Sequence, residues 1–305
     1  MNNLIIGVDI GGTRTKAGLV NLATGEVLDH IVLPTEKKDA EVFLGQIGFM
    51  IGKFRELVTE TGGQIGGIGF GVPGFTGQLG EVITTYGFLE FMENYPFKTI
   101  IENKFELPCL LDNDARVVSL GEAIYGKGKG VDRVLTLTLG TGVGFGMVVN
   151  GRFTESLPLA HMGGHMKITD VGERCYCGKT GCLESLVSST GIINAAKECG
   201  GLELSADAVF NAAENGDRNA QAVVAKIIGY LHTAIHNYVN LFAPGMVILG
   251  GGIAKGLTPY INQIKGEMYL SPYPGYTFQL EVSELEELSG MLGTAALFHS
   301  NKSKA

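Results

Sequence analysis

Three features of this sequence predict an α/β fold in two lobes. Strand-like and helix-like stretches alternate along the chain, as they do where helices cover a largely parallel or mixed sheet. At 305 residues the chain exceeds what one core usually holds, so two units of roughly 100–200 residues each are expected. The pattern strand, glycine turn, strand over residues 4–20 returns at 134–150, which suggests a duplicated core.

"NLIIGVDI" and "TKAGLV" read as strands around the first glycine turn, and "EVLDHIVLP" as a third. "DAEVFLGQIGFMIGKFRELVTET" carries helical periodicity and stops at Gly62-Gly63, a suitable C-cap. "IGGIGFGVPG" is a strand running into a Gly-Pro loop, "ELPCLLDND" a further strand and "ARVVSLGEAIYG" the helix after it. "RVLTLTLGTGVGFGMVVNG" repeats the opening hairpin. "AQAVVAKIIGYLHTAIHNYVNLF" is a long amphipathic helix ending at Pro244, and "GMVILGGGIAKG" reads as strand, glycine loop, helix. "GMLGTAALFHS" predicts a last helix, and "NKSKA" a frayed tail.

Apolar residues at 45% and charged residues at 18% suit a well-buried enzyme, and a net charge of -8 argues against a nucleic-acid surface. No apolar run reaches 18 residues, and "MNNLIIGVDIGG" lacks a basic leader region and cleavage site, so neither membrane insertion nor secretion is expected and a cytoplasmic location is. Three of five cysteines fall in "CYCGKTGC"; in a reducing compartment this spacing favours a metal over disulfides. Cys109, in "LPCLL", reads as a buried thiol, and Cys199 has no evident partner.

Two phosphate motifs are only superficial. "GEAIYGKG" (121–128) puts Gly128 where a P-loop needs Ser or Thr for magnesium, and it closes a helix instead of opening one. "GTGVGFG" is followed by a strand, so it lacks the helix N-terminus of a dinucleotide fingerprint. What survives is a pair of glycine hairpins, whose exposed backbone N–H groups form anion-binding concavities. Gly11, Gly12 and Thr13 in the first, and Gly140, Thr141 and Gly142 in the second, would meet phosphate oxygens; Asp9 would position hydrated magnesium, and Lys16 belongs to the same phosphate set. Two ordinary β-hairpins are the competing reading, and the "GGG" of 250–252, with Gly251 and Gly252, tips the balance toward nucleotide.

"DIGGTRTK", "LDNDA", "LTLGTGVGFG", "GHM…CYCGKTGCLE" and "NLFAPGMVILGGGI" together resemble the ROK family (repressor, open reading frame, kinase), over nearly the whole chain. The resemblance implies an actin-like, ribonuclease H-like sugar kinase fold with mixed sheets and nucleotide in the cleft. It places an N-terminal lobe at 1–115, joined by a C-terminal helix at 291–305, and a C-terminal lobe at 116–290 with a zinc loop at 161–184. It implies ATP, Mg2+, a sugar substrate and a homodimer or higher oligomer. Family repressors carry a helix-turn-helix domain ahead of the DIGGT motif, which starts here at Asp9 and leaves it no room, as in the kinase branch.

Cys175, Cys177 and Cys182 supply three thiolates, and thiolates with one imidazole suit a closed tetrahedral structural Zn2+ site. The resemblance assigns the fourth position to His165; His161 competes. A reduced cysteine cluster is the bland alternative. Phosphoryl transfer to a hydroxyl needs a carboxylate near the attacking oxygen, and "LLDNDA" puts polar residues at a strand end. Asp114 is the expected general base and Asn113 a sugar contact; Asp112 as base, or Asp114 as a mere helix cap, are the alternatives. Glu184, His165 and Gly71 of the loop "GVPGFTG" complete the expected sugar site, although Glu184 also reads as a first-turn charge on a helix. Where the family usually reads Glu-x-Gly-His, this chain has Met162-Gly163-Gly164-His165, and Arg116 replaces the Asn that usually ends the Asn-Asp-Ala-Asn run. The expectation is ATP-dependent phosphorylation of a hexose, at C6. The alternatives are a non-catalytic sugar sensor and a kinase for an N-acetylhexosamine or glycoside.

Overall fold

A computed structural model describes residues 4–61, 63–153, 158–266 and 275–301. The chain divides into two compact units: Met1–Gly130, Gly151–His161 and Glu287–Ala305 form one, Val131–Asn150 and Met162–Glu286 the other. The tail "NKSKA" lies, except for Asn301, outside the described residues.

The first unit is built on strands β1 (Leu4–Ile10), β2 (Arg14–Asn21), β3 (Glu26–Pro34) and β4 (Ile65–Val72), a two-stranded ribbon β5 (Phe75–Thr76) and β6 (Val82–Thr84), and β7 (Cys109–Asn113). Its helices are α1 (Ala40–Thr61), α2 (Phe97–Phe105), α3 (Asp114–Ile124) and the C-terminal helix, Leu288–Asn301. The main sheet runs β3-β2-β1-β4-β7. β1 to β3 form antiparallel hairpins, whereas β1, β4 and β7 run parallel, so the carboxyl ends of β1, β4 and β7 meet at one edge. On one face Phe43, Ile47 and Phe54 of α1 join Ile6, Val8, Ile10 and Phe70 in the core. On the other the C-terminal helix packs directly on β1 and β4. Glycine is what permits this approach: a Cβ on Gly7 or Gly69 would occupy the carbonyl positions of Met291 and Thr294.

The second unit repeats the plan. Strands β8 (Arg133–Leu139) and β9 (Val143–Val149) form an antiparallel hairpin, after which β10 (Arg152–Phe153) is counted with the first unit. Among the described residues the α-helices that follow or intervene are α4 (Leu183–Val187), α5 (Ser189–Glu198), α6 (Ala206–Glu214), α7 (Arg218–Phe242) and α8 (Ile261–Lys265). With β11 (Met246–Gly250) and β12 (Gln279–Val282) the unit's own strands run β9-β8-β11-β12, and β8, β11 and β12 are parallel. Each unit thus starts on an antiparallel hairpin whose first strand then pairs in parallel with a later one. The C-terminal helix is α9 (Leu288–Asn301).

Several element ends have plain local causes. α7 starts after Asp217, whose carboxylate accepts from Ala220 N at 2.9 Å, and stops at Ala243 in the left-handed region ahead of Pro244. β7 begins only at Cys109, because Pro108 has no N–H to give a ladder. One expectation is corrected: the helix read after the glycine loop is a 3-10 stretch, Gly252–Tyr260, containing Pro259. No helix of the described residues is long and apolar enough to cross a membrane.

Candidate active site and metal centre

Asp114 begins α3 directly after β7, at the carboxyl edge of the first sheet. The N-cap is its neighbour: Asn113 Oδ1 accepts from Ala115 N at 3.0 Å and Arg116 N at 3.2 Å, so the idea that Asp114 merely caps the helix is corrected. The Asn113 amide donates to Gly74 O at 3.0 Å and to Asp114 Oδ1 at 2.9 Å, and Ala115 N also donates to that oxygen at 2.9 Å. Only one of the Asp114 oxygens is engaged by these two donors. Burial pushes the Asp114 carboxyl up to about 7, with the nearby charge of Asp9 adding to it against the pull of the Ala115 and Asn113 hydrogen bonds. Asp9, at the end of β1, is likewise raised by burial and partly restored by Lys16, its cross-strand partner. The first turn of α9 covers it, since a Cβ on Gly290 would come within 2.5 Å of Asp9 Oδ2.

Asp112 has other work. Its carboxylate takes a fork from Arg116, Nε to Oδ1 at 2.7 Å and Nη2 to Oδ2 at 3.3 Å, and the guanidinium lies 4.2 Å from the Phe153 ring centre. Gly71 is buried, and a Cβ there would press on Val117 and come within 3.5 Å of Asp114 Cα. Its bare backbone lets the start of α3 settle on β4.

The two glycine turns share a closing bond, Gly11 N to Arg14 O and Gly140 N to Gly142 O, each 3.0 Å. In the first, Thr13 is exposed while Thr35 ties the loop through Thr13 O and Gly11 O. Lys16 is half-buried beside Glu287 at 3.9 Å. In the second, Thr141 is exposed, open space faces the Cα of Gly140, and Ser189 at the start of α5 donates from both N and Oγ to Gly140 O. Gly251 has φ +84 with backbone of Leu139 where a Cβ would be, and Gly252 beside it opens to free space.

His165 Nδ1 and the sulfurs of Cys175, Cys177 and Cys182 all lie within 4.8 Å of one another. Cys175 Sγ is 3.3 Å from His165 Nδ1, and Cys177 Sγ is 3.5 Å from Cys182 Sγ. A tetrahedral zinc with Zn–S of about 2.3 Å separates its ligands by about 3.8 Å, so donor type and spacing fit. The other imidazole nitrogen meets Tyr176 OH at 2.8 Å, which orients the ring. His161 is not in this group; it belongs to the first unit and packs on Phe75 at 4.8 Å. Glu184, in the first turn of α4, takes a hydrogen bond from Val143 N at 3.0 Å through Oε2, with Oε1 3.9 Å from His165 Nδ1. It therefore ties the metal loop to the second glycine turn.

Residues 5–301 match the ROK family along nearly the whole chain. The chain belongs to the ROK family. Among relatives, a glucokinase of Halalkalibacterium halodurans is 34% identical over 94% of this chain and 92% of its own. A xylose repressor of Caldicellulosiruptor bescii is 26% identical over 97% of this chain and 78% of its own. A crystal structure of a ROK glucokinase from Streptomyces griseus, in complex with glucose and AMPPNP, superposes with a TM-score of 0.78 at 26% identity, covering 96% of this chain and 98% of that one. The two-lobed actin-like, ribonuclease H-like fold with mixed sheets is that of such kinases.

Within the first unit the ROK fold brings together Asp9, Lys16, Asn113 and Asp114; within the second it gathers His165, the three cysteines, Glu184 and the turn at 140–142. Reading the sequence missed the Asp112–Arg116 fork, the Tyr176 contact and the anchoring of the second turn by Ser189. Only the first had a local signal, an acid and a base four residues apart.

Proposed function

We propose that this ROK protein transfers the γ-phosphate of ATP to a hydroxyl of a hexose, at C6, with Asp114 as general base. The observation carrying this reading is a carboxyl poised at about 7 with one oxygen held by Asn113 and Ala115. A base of that basicity takes a hydroxyl proton well near neutral pH. Asn113, fixed by its own bonds to Gly74 O and Asp114, orients the acceptor hydroxyls in this reading. Glu184 and His165 are its further sugar contacts, the latter by exchanging its Tyr176 bond for one to a sugar hydroxyl. The backbone of Gly11, Gly12 and Thr13, and of Gly140, Thr141 and Gly142, receives the phosphates, with Lys16 as a cation beside the first turn. Gly251 and Gly252 border the adenosine. Asp9 would hold hydrated Mg2+, which when bound neutralises phosphate oxygens. His165, Cys175, Cys177 and Cys182 would hold Zn2+ as a structural ion, whose binding would supply ordering energy to the loop. The similarity to kinases along the full chain supports this assignment.

A second reading is a sugar sensor without turnover, favoured by Met162 in place of the family's carboxylate and by likeness to a xylose repressor. A coupled ADP-release assay over hexoses, N-acetylhexosamines and glycosides separates the two. ADP release from ATP that depends on a hexose supports the kinase; tight sugar binding with no ADP release in the presence of any acceptor refutes it in favour of the sensor.

A further inference from the structure

The first glycine turn carries more support than a hairpin needs. Thr35, directly after β3, donates Oγ1 to Gly11 O at 2.6 Å and N to Thr13 O at 2.9 Å, and its hydroxyl lies 3.1 Å from Thr15 Oγ1. The Phe88 ring rests on Gly12: a Cβ there would sit 1.9 Å from Phe88 Cζ, so only glycine admits the ring. Three consecutive amides hold that ring in place. Gly87 N donates to Glu93 Oε1 at 3.2 Å, Phe88 N to Thr85 O at 3.1 Å and Leu89 N to Thr85 Oγ1 at 2.9 Å. Phe88 stays 44% exposed, fixed at the turn instead of sunk in the core.

The ring carries a cation. Lys37 Nζ stands 4.8 Å from the Phe88 ring centre, two residues beyond the Thr35 straps. The ammonium therefore lies within about 10 Å of the Gly12 backbone, a distance over which charge still acts in ordinary salt. The other cations of this turn are already matched. Arg14 Nη2 meets Glu287 Oε1 at 2.8 Å, and Lys16 Nζ stands 3.9 Å from the same oxygen, with Asp9 as its cross-strand partner. Among the described residues no carboxylate pairs with Lys37, and its neighbour Glu36 accepts from Lys38 N at 2.7 Å. A polyanion arriving at the turn thus meets one unmatched positive charge on a flexible stem. An exposed aromatic face holds an ammonium weakly, whereas a phosphate oxygen pairs with it charge to charge, so the transfer from ring to phosphate is favourable.

We propose that Lys37, resting on Phe88, binds the terminal phosphates of the nucleotide. This rests on the reading of the first turn as a phosphate site and adds a cation to it. The test measures binding of AMPPNP with Mg2+, and separately of AMP, by calorimetry in the wild-type chain and in Lys37→Met, Lys37→Arg and Lys38→Met. Lys37 is exposed, so these changes leave the core untouched. In Lys37→Met the Kd for AMPPNP should rise about tenfold, while that for AMP, which lacks the terminal phosphates, stays within about twofold. Lys37→Arg should keep AMPPNP within about threefold of the wild type, because a guanidinium also pairs with phosphate. Lys38→Met removes the same net charge one residue away and should leave the Kd within about twofold. An AMPPNP Kd unmoved in Lys37→Met, an equal loss in Lys38→Met or an equal loss for AMP overturns the role of Lys37 and leaves the kinase standing. Selective loss of AMPPNP in Lys37→Met, in a chain that releases no ADP with any sugar, supports the role while the kinase reading falls. No AMPPNP binding by the wild type overturns both.

Discussion

Replacing Asp114 by Asn should make the protein more stable and far less active. The amide oxygen of Asn can accept the two bonds that now reach Asp114 Oδ1, each 2.9 Å, so the geometry at the start of α3 is kept. What disappears is a carboxylate that folding lifts from 3.8 to about 7. A shift of that size corresponds to about 4 kcal/mol held against the folded state once the group is ionised. The sign follows from proton uptake. Between about pH 4 and 7 the folded chain binds a proton that the unfolded chain has released, so stability falls as pH rises through that window and levels off above it. Asn carries no such dependence. Thermal unfolding should therefore show the variant and the wild type nearly equal at pH 4, with the variant ahead by several degrees at pH 8. In the same preparation kcat should drop by about 10²–10⁴-fold, and wild-type kcat/KM should fall tenfold per pH unit below about 7. The neighbouring acid supplies the control. Asp112→Asn leaves the buried Arg116 guanidinium without its fork and should cost about 2–4 kcal/mol of stability, while retaining far more activity than Asp114→Asn. A stability gap that does not widen with pH refutes the burial argument; equal losses of kcat in the two variants refute the choice of base.

Elemental analysis should find one zinc per chain, and Cys177→Ser should lose it and weaken sugar binding more than ATP binding; active protein without zinc contradicts a structural site. Glu184→Ala should raise KM for ATP as well as for the sugar by about fivefold, because Val143 N in the second glycine turn loses its acceptor, whereas a change in sugar KM alone would make Glu184 only a sugar contact. Met162 is half-buried at a kink in the 3-10 stretch Pro158–His165, and a thioether there leaves no charge needing a sugar hydroxyl. Met162→Glu should shift kcat/KM toward unsubstituted glucose relative to a C1- or C2-substituted sugar, and an unchanged ratio would remove Met162 from specificity.

The sequence by itself determined what depends on local order: the two glycine hairpins, the long helix ending at Pro244, and the C-x-C-x4-C spacing that brings sulfurs together in a short loop. Period, turn chemistry and ligand spacing are all carried within a few residues of each other, so they survive without tertiary context. The same holds for Asn113 and Asp114 as neighbours at a strand end, but not for their division of labour. Which of them caps α3, and which of Asp112 and Asp114 keeps an oxygen clear of its neighbours, depended on Gly74, Arg116 and Asp9, from distant parts of the chain or the next helical turn. His165 in place of His161 followed from where the 3-10 stretch turns, which no spacing rule reports. The stretch after Gly251 folds as 3-10 helix where an α-helix was expected, since Pro259 and packing on α6 outweigh an apolar pattern suited to an α-helix. Tertiary structure alone supplied the burial that raises the Asp114 carboxyl, through the glycines that let α3 and α9 close on the sheet. A residue's sequence neighbours state its chemistry, but desolvation and charge from remote segments set its strength, and those exist only once the chain has folded.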